Sequence, residues 1–264
     1  MTASSIHEQS PATDMTFGFD LTLGTDEFVA DDSGKFEERT LGLGQASGGL
    51  VRARHIRARG NAEAGARQFV SDGHQVMYIV RGSVVVSGQD GESHRLESGA
   101  AAYFPPELSY LLHEQSFDFE ALFLTASDIS GLGQEKAKAA VYDHEADGSY
   151  KIGGPGREYL SFRHLRLADR TDRQFEVTLI KGVKSPAGGT GWHRHSNSEW
   201  VFVLGGAAEM AMEGHRNFTI RAGDSLTIPP GVVHAVPEFS DDYALVAVNL
   251  PADFKTEAAE APRV

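Results

Sequence analysis

Short apolar stretches alternate with polar, glycine-bearing breaks along most of the chain. Val76–Val80, Val84–Val86, Trp200–Leu204, Phe218–Ile220 and Tyr243–Leu250 are rich in Val, Ile, Phe and Tyr. They are bounded by Gly, Asp, Asn or Pro, which is the punctuation of short strands. Many of the chain's 29 glycines fall between these stretches. Gln89-Asp90-Gly91 and Glu213-Gly214-His215 have the composition of hairpin turns. The pattern predicts an all-β protein.

The pattern also repeats. Met77-Tyr78-Ile79-Val80-Arg81-Gly82 resembles Val201-Phe202-Val203-Leu204-Gly205-Gly206, 124 residues further on. At the same offset Gly99 and Phe104-Pro105-Pro106 match Gly223 and Ile228-Pro229-Pro230, and Leu41 and Leu43 match Leu165 and Leu167. Val51–Ala58 likewise faces Phe175–Gly182. One ungapped register of this length indicates a duplicated domain and not a solenoid of short units. The expected organisation is an N-terminal tail or arm over 1–35, a first domain over 36–130, a linker over 131–157, a second domain over 158–253 and a C-terminal tail over 254–264. Met1 to Asp14 reads as a mobile polar tail without an apolar signal core. The charged stretch Gln134–Ala140 has the makings of a brief helix.

Eight residues of the second copy form one spaced pattern: His193, His195, Glu199 and Gly206, then Gly223, Pro229, Gly231 and His234. Alternate side chains of a strand share a face, so His193 and His195 project together. Glu199 follows a short turn, Ser196-Asn197-Ser198. His234 follows the rigid turn Pro229-Pro230-Gly231. A barrel interior would bring all four together. Three imidazoles and a carboxylate suit a divalent transition metal, with Fe or Mn favoured and Zn, Ni, Co or Cu as alternatives. On a six-coordinate ion, four protein ligands leave two positions for substrate, water or oxygen.

This arrangement resembles the two signature motifs of the cupin superfamily. Two departures touch no ligand: Ala187 stands where a glycine usually opens the first motif, and Glu238 stands where an asparagine often ends the second. With the internal repeat, the resemblance extends over roughly 36–253 and implies a bicupin, two tandem cupin (double-stranded β-helix, or jelly-roll) barrels. It further implies one metal per chain held by His193, His195, Glu199 and His234, and it makes a homodimer a reasonable expectation. Known cupins include dioxygenases, decarboxylases, isomerases, lyases, cyclases and non-catalytic binding proteins, so the resemblance speaks to fold and metal more than to reaction.

The first copy carries Phe69, Ser71, Gln75 and Tyr110 at the ligand positions. None is a good ligand here, and the two aromatic side chains are bulky enough to fill a barrel. The N-terminal domain is therefore read as metal-free. His74 and His113 lie nearby with parity pointing out of the barrel. In the second copy, Met210 and Met212 share one face of a strand, for core packing first and pocket lining second. The same alternatives hold for Phe175, Val177 and Leu179. Trp192 and Trp200 have the parity opposite the ligands, which suggests burial between barrels or subunits. Arg194 reads as part of a solvated face.

Composition narrows the partners. A net charge of −13 argues against general nucleic-acid binding and against docking on an anionic membrane. No cysteine is present, so disulfides, thiolate metal sites and cysteine nucleophiles are excluded. No apolar run approaches a membrane span, and a cytoplasmic location is expected. The expected function is a metal-dependent enzyme acting on a small organic molecule, first a dioxygenase-type oxidoreductase in which Glu199 also shuttles a proton. The alternatives are a redox-neutral metalloenzyme (isomerase, lyase, decarboxylase or cyclase) and a non-catalytic small-molecule-binding protein.

Overall fold

The computed structural model describes residues 18–32, 34–59, 66–89, 91–127, 139–142, 150–154 and 157–262. Met1 to Asp14, Asp90 and most of Gln134–Ala140 lie outside the described residues, although Ala140 itself opens a strand.

The described chain is almost entirely β, with one short α-helix, Leu43–Ala46, and a 3₁₀ turn, Ala168–Arg170. In the N-terminal half a seven-stranded sheet runs in the order Ala140–Tyr142, Ala101–Phe104, His74–Arg81, Glu120–Ala126, Val51–Ala58, Phe36–Leu41 and Val29–Ala30. It faces a four-stranded sheet of Arg67–Val70, Ser109–His113, Ser83–Gly88 and Ser93–Glu97. The C-terminal half repeats this plan. Its seven-stranded sheet runs Asp20–Thr22, Ser225–Ile228, Ser198–Gly205, Ala244–Leu250, Glu176–Gly182, Leu160–His164 and Lys151–Ile152. Its second sheet has five strands, Phe218–Arg221, Ala207–Met212, His234–Phe239, His193–His195 and Thr256–Ala258. Every pairing within these sheets is antiparallel, giving two tandem jelly-roll barrels. No helix among the described residues is long and apolar enough to cross a membrane.

The turns match the sequence pattern. Gly91 and Gly214 sit at positive φ in the two hairpins expected from composition. Gly82 and Gly206 also take positive φ, and a Cβ on either would fall within 2.3 Å of a serine hydroxyl, Ser116 or Ser240. Those two serines are themselves 124 residues apart, so the repeat extends to the contact that demands glycine.

Both halves reach across to each other. Asp20–Thr22, inside the segment expected to be an arm, pairs with Ser225–Ile228 of the C-terminal barrel. Ala140–Tyr142, inside the expected linker, pairs with Ala101–Phe104 of the N-terminal barrel. Ala101 and Ser225 are repeat equivalents, so each barrel takes an edge strand from the segment that precedes the other. An edge with unpaired N–H and C=O groups is a liability, and this exchange covers one edge in each half.

Three apolar clusters result. Met77, Ile79, Val84, Leu112 and Phe123 fill the N-terminal barrel, and Val201, Val203, Met210, Ile220 and Leu226 belong to the C-terminal one. The third joins the outer faces of the two large sheets: Val76, Tyr78, Leu122 and Leu124 from one half meet Phe175, Val177, Leu179, Trp200, Phe202, Val246 and Val248 from the other. Strands His74–Arg81 and Ser198–Gly205 therefore bury both faces, which is why their sequences read as unbroken apolar runs. Phe175, Val177 and Leu179 pack between barrels and not along a pocket wall. Trp200 is fully buried in the same place, whereas Trp192 is half-buried and lines a cavity. His74 also points out of its barrel, into this inter-barrel layer, where its Nδ1 lies 2.8 Å from the Tyr103 hydroxyl.

Two arginines, again 124 residues apart, clasp the layer. Arg39 donates to the carbonyls of Gly223 and Leu23, both at 2.6 Å, and Arg163 donates to the carbonyl of Gly99 at 3.1 Å. Both arginines are only 4% exposed, so these carbonyls replace the water each guanidinium loses.

The interior of the N-terminal barrel is closed by aromatic side chains. Tyr110 stacks on Phe104 with ring centroids 3.8 Å apart and on Phe69 at 5.4 Å. Its hydroxyl donates to the Gln75 side chain, whose amide donates to Thr125 Oγ1 at 3.2 Å. Ser71 donates to the Pro105 carbonyl. All four residues at the metal-ligand positions of the repeat are thus engaged with one another or with the backbone.

Trp200→Ala is expected to cost about 3–5 kcal/mol of stability, because it opens a cavity in the inter-barrel core. Phe69, partly exposed, is expected to cost less than about 3 kcal/mol on truncation to Ala. Denaturant unfolding of both variants tests the ranking, and a reversed order would contradict the assignment of the inter-barrel layer as the main core.

Candidate metal centre

His193 and His195 occupy a three-residue strand, with the exposed Arg194 between them on the opposite face. Arg194 is paired there with Glu257, at 2.8 Å. His234 opens the strand His234–Phe239 and is the direct cross-strand partner of His193. The turn before it is docked onto the first strand: Gly231, at positive φ, donates its N–H to the His195 carbonyl at 2.8 Å. Glu199 is the second residue of Ser198–Gly205. The intervening turn is fixed by Asn197, which donates to the carbonyl of Pro251 at 2.9 Å and to Asn249 Oδ1 at 3.3 Å.

These elements bring three imidazoles together. One nitrogen from each of His193, His195 and His234 lies within 4.8 Å of the others. Glu199 stands beside them, with Oε2 3.7 Å from His195 Nε2. The outer nitrogens have partners of their own. His193 Nδ1 lies 2.9 Å from the Gly191 carbonyl, and His234 Nδ1 lies 3.0 Å from the Val232 carbonyl. A carbonyl only accepts, so Nδ1 is the donor in each contact, which in the neutral ring leaves the lone pair on Nε2. His195 Nδ1 lies 3.0 Å from the Thr256 hydroxyl. This is the outer arrangement expected around imidazoles that bind a metal through Nε2.

The electrostatics agree. Burial pushes His195 down to about 4, with the neighbouring His193 and Arg157 adding to the shift. Burial also lowers His234, again helped by His193. Both imidazoles are therefore neutral near pH 7, the form a metal requires. Burial raises the Glu199 carboxyl, opposed by His234, His193 and Arg157. A positive charge at the centre of this group would reverse that rise, since nearby cations favour a carboxylate. Neutral imidazoles, converging lone pairs and an adjacent carboxyl together fit a divalent transition metal.

The cluster forms part of the lining of a cavity of about 950 Å³. Val201, Met210, Ile220, Ile228 and Leu245 give it apolar walls, while Glu199, Asn249, Thr178 and Thr190 add polar groups. Met210 thus serves both the barrel core and the cavity wall, whereas Met212 serves the core alone.

Several site residues carry no signal in the sequence. Arg157, in the segment expected to be linker, lines the cavity and acts electrostatically on His195 and Glu199. Tyr243 is a buried cavity residue whose hydroxyl is raised by burial and by Glu199. Phe254, Thr256 and Ala258, from the segment expected to be tail, also line the cavity. Neither spacing nor the repeat marks Phe254, Thr256 and Ala258, because their roles arise only when the chain end folds back.

Comparison with known proteins fits this geometry. No curated protein matches the chain. Solved structures do. A Bacillus subtilis oxalate decarboxylase mutant aligns at 14% identity with a TM-score of 0.60, covering 95% of this chain and 80% of that one. A structure concerned with substrate binding and reaction specificity in oxalate decarboxylase aligns at 16% identity with a TM-score of 0.61 and the same coverage. Protein Ylba from E. coli aligns at 11% identity with a TM-score of 0.67, covering 92% of this chain and 96% of that one. At these identities the likeness is one of fold. Residues 182–249, which hold all three histidines and Glu199, match the cupin domain family, and the described chain as a whole has the tandem cupin-barrel fold.

Proposed function

We propose that this protein is a metal-dependent enzyme acting on a small organic molecule held in its C-terminal barrel. The observation that carries this reading is the convergence of three imidazoles and a carboxyl on the lining of one cavity. His193, His195, Glu199 and His234 would hold one divalent metal, with Fe or Mn favoured for an all-nitrogen-and-oxygen set that keeps open positions. Such an ion supplies Lewis acidity and, for Fe or Mn, redox capacity.

The chain's own residues supply the rest. Val201, Met210, Ile220, Ile228 and Leu245 exclude water from the apolar part of a substrate. Glu199, raised by burial, is suited to hold a proton and to release it when a cation approaches. Arg157 offers a guanidinium at the cavity wall, where it can orient a carboxylate.

Two reaction classes fit. An oxygen-dependent oxidation, the dioxygenase reading, rests on open metal positions within apolar walls. A redox-neutral cleavage such as decarboxylation is favoured by Arg157 beside the cluster, since it suits an organic acid, and by likeness in fold to oxalate decarboxylase. Oxygen uptake separates them. Fe- or Mn-loaded protein is incubated with a panel of phenols, diketones and hydroxy and keto acids. Turnover with stoichiometric oxygen consumption supports the first class, and turnover under nitrogen supports the second. No turnover of any panel member by fully loaded protein would count against both.

Metal loading has its own test. Elemental analysis of purified wild-type protein is expected to give about one transition-metal ion per chain, and His195→Ala or His234→Ala is expected to abolish it. Phe69→Ala is expected to leave it unchanged. Removing the metal with a chelator and restoring it at 100 times its Kd is expected to raise stability by about 2.7 kcal/mol, or Tm by about 5–10 °C. Equal metal loss from Phe69→Ala and His195→Ala would remove the distinction between the barrels.

A further inference from the structure

The strand that carries His193 and His195 is poorly supported by its own barrel. It makes a single register pair with its inner neighbour, His193 with His234. Its counterpart in the N-terminal barrel, Arg67–Val70, makes four such pairs with Ser109–His113. A three-residue strand with one paired position leaves most of its backbone groups to find partners elsewhere.

The C-terminal segment provides those partners. Thr256–Ala258 pairs along the whole strand, Thr256 with His195, Glu257 with Arg194 and Ala258 with His193. The pairing continues beyond both ends. Ser196 N–H donates to the Lys255 carbonyl at 3.0 Å, Lys255 N–H donates to Ser196 Oγ at 2.9 Å, and Ala259 N–H donates to the Trp192 carbonyl at 2.9 Å. Ion pairs of Arg194 with Glu257 and of Arg173 with Asp253 pin the outer surface. On the inner surface, Phe254 meets the His195 ring edge-to-face, with centroids 5.4 Å apart.

We propose that this C-terminal strap is a working part of the metal centre, with Thr256 as the positioning residue that fixes the ring and tautomer of His195. The inference rests on reading the three histidines as metal ligands. His193 and His234 are oriented by carbonyls of their own local turns, Gly191 and Val232, two residues away in each case. His195 has no such local acceptor. The Thr256 hydroxyl, 61 residues further along the chain, takes that place at 3.0 Å. An Nδ1 proton donated to this hydroxyl leaves Nε2 facing the other two imidazoles.

The test uses the full chain and titration with Co²⁺, followed by visible absorption and by competition with a chelator. Thr256→Val keeps the shape of the side chain and removes its oxygen. It is expected to weaken Co²⁺ binding by about 10–100-fold, and to alter the visible spectrum of the bound ion, while Tm of the metal-free protein falls by no more than about 2–4 °C. Thr256→Ser, which restores the hydroxyl, is expected to recover both affinity and spectrum. A second chain ending at Asp253 tests the strap as a whole, and is expected to lose Co²⁺ binding more completely than Thr256→Val does. Wild-type affinity and spectrum in Thr256→Val would overturn the role of Thr256. The same weakening in Thr256→Val and Thr256→Ser would also overturn it, since the hydroxyl would then not be what matters. Absence of Co²⁺ binding in the wild-type chain would instead bring down the metal reading, and this inference with it.

Discussion

Two large antiparallel sheets packed face to face impose the constraint on which the rest of the structure depends. A sheet buried on both surfaces has no solvent face, so the middle of its central strands must be apolar on both sides. His74–Arg81 and Ser198–Gly205 meet that demand by sending Val76, Tyr78, Trp200 and Phe202 between the barrels and Met77, Ile79, Val201 and Val203 into them. Glu199 lies at the polar start of such a strand, as His74 and Gln75 do on the other. It precedes Trp200, which is fully buried in the inter-barrel layer, so its backbone is held by the best-packed part of the molecule. Glu199 is partly exposed toward the cavity, and this anchored backbone sets its place beside His195.

The same layer explains the exchange of edge strands and the two buried arginines. Sheets stacked in this way bring the Gly99 and Gly223 turns of each half against the opposite barrel. Arg39 and Arg163 use those turns as hydrogen-bond acceptors across the interface. Both residues carry a charge where water is excluded, so their carbonyl partners tie one relative placement of the barrels to the burial of each guanidinium. The clasp occurs twice at the same 124-residue offset as the other matched positions.

Much of this was legible in the sequence, for physical reasons that can be named. Short apolar runs with glycine punctuation predict strands, and one register kept at an offset of 124 residues predicts two copies of one fold. The cluster of His193, His195, Glu199 and His234 was legible because each residue has a local mark: two share one strand face, one lies past a tight turn and one after a proline-bearing turn. What could not be read depends on distant parts of the chain meeting. Phe175, Val177 and Leu179 have the alternation of a strand face, but alternation does not say whether that face meets a pocket or another barrel. Trp192 and Trp200 share parity yet part company, because the first lies just before a short strand at the cavity and the second on a long strand in the core. Arg157 and Thr256 sit in segments with linker and tail composition. Their importance comes from folding back onto a cavity, and nothing in their neighbours encodes that.

The two barrels also form an internal control on what the ligand residues cost. Phe69 and Tyr110 are cross-strand partners in one barrel, and His193 and His234 are cross-strand partners at the same positions in the other. The first pair stacks and fills the interior. The second pair borders a cavity, with the His234 imidazole lowered by burial beside a carboxyl raised by burial. Each of these shifts reports an environment that disfavours the charged form, and an open cavity forfeits the packing that the aromatic stack supplies. Judged by folding alone, the C-terminal arrangement is the worse use of the same backbone. The stability it forgoes has an evident return only if something binds where the stack would have been, and the donor set that replaces the stack suits a metal ion.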